Sequence, residues 1–210
     1  VEERKPIQLD FERRYLGKRM DNPAYVSEAE LDKYRVYHPY MWKRKLTPEI
    51  VERFDIGYDK KHNAITFPVR DRQGNCLFIA YRSVVTKFFH YPVDVEKPVY
   101  GIYELYQLEK FPDEIIICES MLNALTCWVY GKYAVALNGT GTPYQYKQLE
   151  NLPVRKYILG FDPDNAGEHG CKRITDAIYD KIFTKYVIPK NHDLNDLSRE
   201  EFNNLPEIIY

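Results

Sequence analysis

Cysteine is scarce in this sequence, and its positions argue against two common ways of stabilising a small fold. The four cysteines lie far apart and form no CxxC pair, which fits neither a disulfide framework nor a structural zinc site. Each is therefore expected to act as a small buried hydrophobic residue. The four positions are Cys76, Cys118, Cys127 and Cys171.

Long apolar runs are also missing. No segment approaches the roughly 20 apolar residues that a membrane-spanning helix needs. The first residues do not form the charged and then apolar leader of a secreted protein. We therefore expect a cytoplasmic protein that has no membrane partner.

The sequence is nevertheless apolar enough to bury a substantial core. Hydrophobic residues make up 44% of its 210 residues and aromatic residues 15%, which is typical of a globular protein. The net charge of −1 conceals an asymmetry: residues 1–100 hold 19 Lys and Arg against 15 Asp and Glu, whereas residues 101–210 hold 11 against 16. A basic half beside an acidic half would suit a polyanionic ligand, although solvated surface charge explains so small an excess more simply.

The first half is predicted to mix helices and strands. Residues 1–26 carry mixed charge and few periodic apolar positions, so we expect an arm or a loosely packed lead-in. One short helix is predicted after Ser27 and is interrupted by Pro39, and another begins after Thr47. The runs AITFPV and CLFIAYR then predict two strands joined by a turn at Gly74.

The second half is more regular and alternates strands with helices, which is typical of βαβ units and a parallel sheet. In order, the sequence predicts strand EIIIC, a helix over 120–130, strand YAVAL, loop NGTG, a helix after Thr142, strand KYILGF, loop DPDNAG, a helix over 168–183, strand KYVI and a helix after Ser198.

Carboxylates that follow two of these strands are the most informative feature of the chain. EIIIC leads into Glu119, and KYILGF leads into Asp162, with Asp164 two residues further on. Parallel strands present their carboxyl ends at one edge of a sheet, so we expect these side chains to gather there. Repelling carboxylates favour a bound cation, and oxygen ligands without a thiolate or imidazole cluster favour Mg²⁺ or Mn²⁺ over zinc.

Simpler explanations stand beside each of these assignments. Glu119 could merely complement the dipole of the following helix, worth about 0.3–1 kcal/mol. The DxDxxG pattern of residues 162–167 resembles part of a calcium hand, but the twelve-residue loop is absent. In KNHDLND, Asp193 is a candidate for a further metal ligand and His192 a weaker one, since turns that enter helices use Asp and Asn for capping.

Phosphate contacts are predicted from the NGTG loop and from the basic half. Gly139 and Gly141 would let backbone amides approach a phosphate, although a glycine-containing turn between a strand and a helix is common. The basic candidates for nucleotide phosphates are Arg44, Arg82, Lys87 and Lys97.

Taken together, these segments resemble the catalytic core of bacterial-type DNA primases over roughly residues 34–197. The acidic half is similar to the Toprim fold, with a Glu after its first strand at Glu119 and a DxD after its third at Asp162 and Asp164. The first half resembles the amino-terminal subdomain of primase cores through YMWKRKLTPEIVERFDIGYD, ITFPVRDRQGN and YRS.

The resemblance implies an α/β fold in three parts. Residues 113–197 would form a Toprim-like parallel sheet flanked by helices. A smaller, basic, mixed α+β subdomain of the primase type would precede it in residues 1–112, and a carboxyl-terminal helix would follow in residues 198–210.

It also implies an activity, namely DNA-dependent synthesis of RNA primers by metal-dependent nucleotidyl transfer. The implied partners are a single-stranded DNA template, ribonucleoside triphosphates and, through segments absent from this sequence, a replicative helicase. Glu119, Asp162 and Asp164 would be catalytic and, together with Asp193, would hold Mg²⁺ or Mn²⁺. Nucleotide and DNA contacts would come from Arg44, Arg82, Lys87, Lys97, Gly139 and Gly141.

The sequence departs from the family pattern at Asn123, where the usual EGxxD would place a carboxylate. That change lowers the local negative charge by one, and drift of this kind favours a phage or mobile-element relative acting in its host's cytoplasm. Two alternatives stay open: a Toprim nuclease, and a non-catalytic nucleic-acid-binding remnant of a primase.

Overall fold

A computed structural model describes residues 25–92 and 96–210 of the chain. The arm predicted for residues 1–26 lies almost entirely outside the described residues. None of the described helices is both long and apolar enough to cross a membrane.

Three short helices open the described chain. They are α1 (Glu28–Leu31), which continues as a 3₁₀ turn over Asp32–Tyr34, α2 (Pro39–Lys43) and α3 (Pro48–Arg53). Ser27 and Thr47 cap α1 and α3 as predicted, each accepting a backbone hydrogen bond three residues ahead. The first helical segment ends at Tyr34, before Pro39, as expected. Pro39 itself occupies the first position of α2, a helix that was not predicted, where its missing N–H costs nothing.

An antiparallel sheet follows, with its strands in sequence order. It contains β1 (Gly57–Asp59), β2 (Ala64–Arg70), β3 (Cys76–Ser83) and β4 (Phe89–His90). The predicted hairpin is β2–β3, and its turn places Gly74 at a φ of +91°, which glycine adopts without strain. One face of the sheet packs into the main core, and the other carries a smaller cluster of Leu31, Cys76 and Ile79.

A five-stranded sheet forms the second region, in the order β6-β5-β7-β8-β9. Its strands are β5 (Glu114–Cys118), β6 (Ala134–Ala136), β7 (Lys156–Gly160), β8 (Ile182–Tyr186) and β9 (Glu207–Ile209). The first four are mutually parallel, and β9 pairs antiparallel with β8. The helices of this part are α4 (Ile102–Tyr106), α5 (Met121–Val129), α6 (Pro143–Glu150), α7 (Asn165–Ala177) and α8 (Arg199–Asn203).

After their first residues, Glu114 and Lys156, the central strands β5 and β7 are fully buried because helices cover both faces of the parallel sheet. Ile115, Ile116 and Ile117 of β5 are all buried, and so are eight of the nine residues of α5. A continuous buried cluster joins these residues to β2 and β3 of the antiparallel sheet. The main core is therefore shared by both regions.

The boundary between α7 and β8 differs from the prediction. The helix runs over Asn165–Ala177 instead of 168–183, and the strand begins at Ile182, three residues before the predicted KYVI. Asp180 adopts a φ of +62° and turns the chain between them. Asp tolerates this left-handed conformation, but the sequence offers no glycine or proline to signal the turn.

Candidate functional site

The predicted carboxylates lie at one edge of the parallel sheet. Strands β5 and β7 are neighbours, and the last residue of each, Cys118 and Gly160, are register partners. Glu119 follows the first strand directly, and Asp162 follows the second by one intervening residue. Topology thus brings together two acidic residues that lie 43 positions apart in the sequence.

Glu119 has an oxygen that no group of the described residues satisfies. Its Oε2 atom is buried and has no hydrogen-bond partner within the described residues. Burial and, secondarily, the charge of Asp164 raise the pKa of this carboxyl. Its backbone carbonyl accepts a hydrogen bond of 3.1 Å from the N–H of Gly139, so the NGTG loop is tied to the same point.

Asp162 has the most strongly shifted pKa of the four carboxylates. Burial raises its pKa to about 6, and the charges of Glu119, Asp193 and Asp164 act in the same direction. Asn123 opposes them by donating a hydrogen bond of 3.3 Å from Nδ2 to Asp162 Oδ1. The four carboxylates therefore interact, which is the arrangement that a bound cation would relieve.

Asp164 and Asp193 also have structural duties. Asp164 caps α7 through a 2.7 Å hydrogen bond from the N–H of Gly167 to Oδ1. Asp193 and Asp196 each accept the other's backbone N–H at 3.0 Å, which closes the turn after β8. The capping explanation considered for Asp193 thus holds, and Asp164 has a capping role that was not predicted. Neither role removes the residue's charge from the sheet edge.

These donors suit an oxygen-preferring divalent cation. Four carboxylates lie close enough to influence one another, and one buried oxygen lacks a partner among the described residues. Within residues 25–92 and 96–210, however, no three Asp, Glu, His or Cys side chains already stand close enough to hold an ion. Ion binding would therefore require these carboxylates to draw closer together.

A network of hydrogen bonds from Asn123 and Asn195 connects to the carboxylates at the sheet edge. Asn123 is 1% exposed, and its Oδ1 accepts the backbone N–H of Asn195 at 3.2 Å. Asn195 in turn donates from Nδ2 to Thr126 Oγ1 at 2.8 Å and to the Arg44 carbonyl at 3.0 Å. The network therefore links Asp162 to Arg44, which caps the carboxyl end of α2.

Lys97, Gly139 and Gly141 line a single cavity of about 470 Å³. The Lys97 ammonium lies 4.3 Å from the centroid of the Tyr91 ring, and burial lowers the pKa of Lys97. Both glycines have positive φ, +126° and +92°. Three of the predicted phosphate contacts are therefore close neighbours in the structure.

The other basic candidates differ in how they are placed. Arg82 is only 9% exposed and donates from Nη1 to the Thr86 carbonyl at 2.6 Å, with its guanidinium over the Phe89 ring. Its described contacts therefore stabilise the hairpin of β3 and β4.

The remaining candidates have fewer contacts. Arg44 has a buried Nε atom without a described partner, and Lys87 lies exposed in the loop between β3 and β4. His192 is exposed, and its Nδ1 faces the Lys190 carbonyl at 3.0 Å.

Sequence reasoning missed two residues near the site. Asn138 lines the cavity with Lys97, and both polar atoms of its side chain are buried without a described partner. Its position directly before Gly139 in NGTG could have marked it as a member of the predicted phosphate loop. Lys45 adopts a φ of +65° and donates to the carbonyls of Asn195, Asp196 and Leu197 at 2.6–2.9 Å, a role that no local pattern announces.

Comparison with known proteins agrees with this geometry. Residues 116–198 match a family model described as Toprim-like. The DNA primase of Haemophilus influenzae is 26% identical over 179 residues, an alignment that covers 64% of this chain and 30% of the primase. The chain thus spans about a third of that relative's length.

Solved primase structures share the fold. The Escherichia coli primase catalytic core superposes with a TM-score of 0.66 at 19% identity, covering 94% of this chain and 76% of that one. A DnaG primase catalytic domain bound to single-stranded DNA gives a TM-score of 0.67 at 18% identity, covering 93% and 74%.

The parallel sheet with carboxylates at its edge agrees with the Toprim-like match of residues 116–198. The chain is similar in sequence to bacterial DNA primases and has the fold of their catalytic core. The expected α/β architecture is confirmed.

Proposed function

We propose that this chain is a DNA primase, an enzyme that joins ribonucleotides into short primers on a single-stranded DNA template. One observation carries the proposal: four carboxylates influence one another electrostatically at the edge of the parallel sheet, and one of them has a buried oxygen without a partner among the described residues. The primase relatives and the primase-core fold support this reaction over the other reactions of Toprim proteins.

In this proposal, Glu119, Asp162 and Asp164, with Asp193, hold Mg²⁺ or Mn²⁺. A divalent cation bound there would align the attacking hydroxyl with the α-phosphate and neutralise charge on the leaving pyrophosphate. The protein's own part is to fix the positions of Asp162 and Asp164, through the hydrogen bond from Asn123 and the cap of α7.

The cavity of Lys97 is the proposed site for the nucleotide's phosphates. Lys97 supplies a cation, and Gly139, beside which there is open space, lets a phosphate approach the loop; Gly141 lines the same cavity. Arg44 and Lys87 are proposed to contact the template or the triphosphate. Arg82 would act by shaping the loop that carries Lys87.

The proposal also covers partners and location. It assigns ribonucleoside triphosphates and single-stranded DNA as ligands, supported by a structural neighbour that was solved with single-stranded DNA. It assigns a replicative helicase as a further partner and the cytoplasm as the place of the reaction.

Primer synthesis on single-stranded DNA with Mn²⁺ and labelled ribonucleotides tests the proposal directly. We expect the parent chain to make primers and Asp162→Asn to lose at least about 100-fold of the rate, since a metal-holding charge is removed. Asp176→Asn is the matched control, because Asp176 is exposed on α7. Equal rates in parent and Asp162→Asn would refute the assignment.

Asn123 favours a second candidate, a primase remnant that binds nucleic acid without catalysis. It supplies an amide where the family pattern usually has a carboxylate, and it is buried against Asp162. Thermal unfolding with increasing Mn²⁺ separates the two candidates. A working site gains stability on binding the ion, whereas a dead site gains little.

A further inference from the structure

A second cavity, of about 730 Å³, lies on the outer face of the antiparallel sheet. Ile79, Tyr81 and Ser83 of β3 line it, whereas the alternate residues Phe78 and Ala80 pack into the main core. Side chains alternate between the faces of a strand. The cavity therefore lies on the opposite face from Arg82, and none of its lining residues belongs to the candidate site described above.

Aromatic rings form the wall of this cavity in a contacting series. The Tyr81 ring centroid lies 5.8 Å from that of His62 and 6.4 Å from that of His90, and Phe88 lies 6.3 Å from His90. Phe88 is 63% exposed, although it is a large apolar side chain. Exposed ring faces of this kind bind unpaired bases by stacking.

The wall is held in place by hydrogen bonds. The Tyr81 hydroxyl is bonded to that of Tyr34, which donates to Glu30 Oε1 at 3.1 Å. Glu30 also pairs with Lys33 at the rim. The Tyr81 ring is thus positioned before any ligand arrives, which lowers the entropic cost of binding.

A basic turn stands at the mouth of the cavity. Asp59 is 5% exposed, and its Oδ1 accepts the backbone N–H groups of Lys61 and His62 at 2.8 and 3.3 Å. Its Oδ2 lies 2.5 Å from His62 Nδ1 and so orients the imidazole. The buried carboxylate fixes a turn that presents Lys60 and His62 to solvent beside the aromatic wall.

We propose that this cavity binds a nucleotide, with the base against Tyr81 and Phe88 and the phosphate at Lys60 and His62. The aromatic wall supplies stacking surface, and the basic turn supplies charge complementary to a phosphate. The volume lies in the range of about 300–1,000 Å³ that small-molecule sites occupy. A free nucleoside triphosphate and one base of a single strand share this chemistry.

Binding of two fluorescent probes to the full chain tests the proposal. The probes are N-methylanthraniloyl ATP and a 5′-fluorescein dT12 oligonucleotide, both measured in EDTA so that metal-dependent binding at the carboxylate edge does not contribute. We expect Phe88→Ala and Lys60→Ala to raise the Kd of at least one probe fivefold or more. Tyr179→Ala and Lys110→Ala are the controls, because both positions are exposed and lie outside the cavity.

The two probes distinguish the sources of the nucleotide. A weakened Kd for the ATP probe assigns the cavity to free nucleotides, and a weakened Kd for the oligonucleotide assigns it to the strand. No binding of either probe, or Kd values that Phe88→Ala and Lys60→Ala leave unchanged, overturns the proposal. Because the assay contains no metal and measures no synthesis, a failure of the proposed primase function would not affect its result.

Photocrosslinking gives a positional readout that does not depend on substitutions. Irradiation with 8-azido-ATP, or with an oligonucleotide that contains 5-iodouracil, followed by peptide mass spectrometry, should place adducts on peptides containing Tyr81 or Phe88. Adducts confined to peptides outside the cavity lining would contradict the proposed site.

Discussion

At the scale of single residues, Asn123 sets the charge of the carboxylate edge. It is buried, donates to Asp162 and accepts from the backbone of Asn195. Asn123→Asp would replace the donated hydrogen bond with a second buried negative charge. We expect the variant to lose about 2–3 kcal/mol of unfolding free energy in EDTA and to regain more stability than the parent when Mn²⁺ is added.

Denaturant unfolding in EDTA and in Mn²⁺ measures this prediction. Asn203→Asp is the control, since Asn203 is exposed at the last position of α8. If Asn123→Asp has the same stability as the parent in EDTA and the same response to Mn²⁺, the electrostatic account of this edge is wrong.

Glu104 makes the stability of the protein depend on pH. It is 5% exposed in α4, and burial raises its pKa to about 7, against the smaller opposing influence of Arg70 and Arg53. The folded state therefore binds this proton more tightly than the unfolded chain does. Its stabilising effect is complete below about pH 4.3, the unperturbed value, and is lost as the pH rises through 7.

Glu104→Gln should consequently stabilise the protein at pH 8 by about 1–2 kcal/mol, after allowance for the new amide's unmet hydrogen bonds. The gain should shrink between pH 7 and pH 4 as the parent's carboxyl is protonated. Urea unfolding at several pH values tests this, with the exposed Glu109→Gln as the control. A gain that does not change with pH would show that charge burial is not its cause.

At the scale of elements, Asp164 joins the candidate metal site to the start of α7. Its carboxylate caps the helix through the N–H of Gly167. We expect Asp164→Ala to cost about 1 kcal/mol of stability, because the cap is lost, whereas Asp164→Asn keeps the cap and the stability. Both variants should lose primer synthesis. An active Asp164→Asn would leave this residue with a capping role alone.

The NGTG loop depends on its second glycine more than on its first. A Cβ at Gly141 would lie 2.5 Å from Tyr146 Cε1, whereas a Cβ at Gly139 meets open space, although both positions have positive φ. We expect Gly141→Ala to cost about 2–3 kcal/mol and Gly139→Ala about 1 kcal/mol. Denaturant unfolding of the two variants provides the comparison, and equal losses would contradict the difference in free space around the two glycines.

Sequence patterns predicted the elements whose burial is simple. Strands β5 and β7 are apolar on both faces, and Thr142 and Ser198 begin helices with complete capping boxes, so local chemistry and tertiary structure agree. Strand β9 went unpredicted because Glu207–Ile209 is exposed, and only the free edge of β8 decides its pairing. The sheet topology was enough to predict that the carboxylates lie at one edge. The hydrogen bonds of Lys45 and Asn195 could not be predicted in this way, because their partners lie about 150 residues away in sequence.

At the scale of the whole molecule, the basic and acidic regions share one core. Phe54 of the first region packs against Tyr100 and Trp128, with ring centroids 5.7 and 5.2 Å apart. Tyr100 also exchanges backbone hydrogen bonds with Ala136 of β6, at 2.9 and 3.0 Å. These contacts hold the first region against the five-stranded sheet, whereas the proposed boundary at residue 112 stays a prediction.

The central claim is that carboxylates distant in sequence together bind a divalent cation. A crystal grown with MnCl₂ and measured for anomalous scattering tests that claim most directly. We predict a manganese peak about 2.0–2.3 Å from oxygens of Asp162 and Glu119. An anomalous map without a peak beside these side chains would contradict the account.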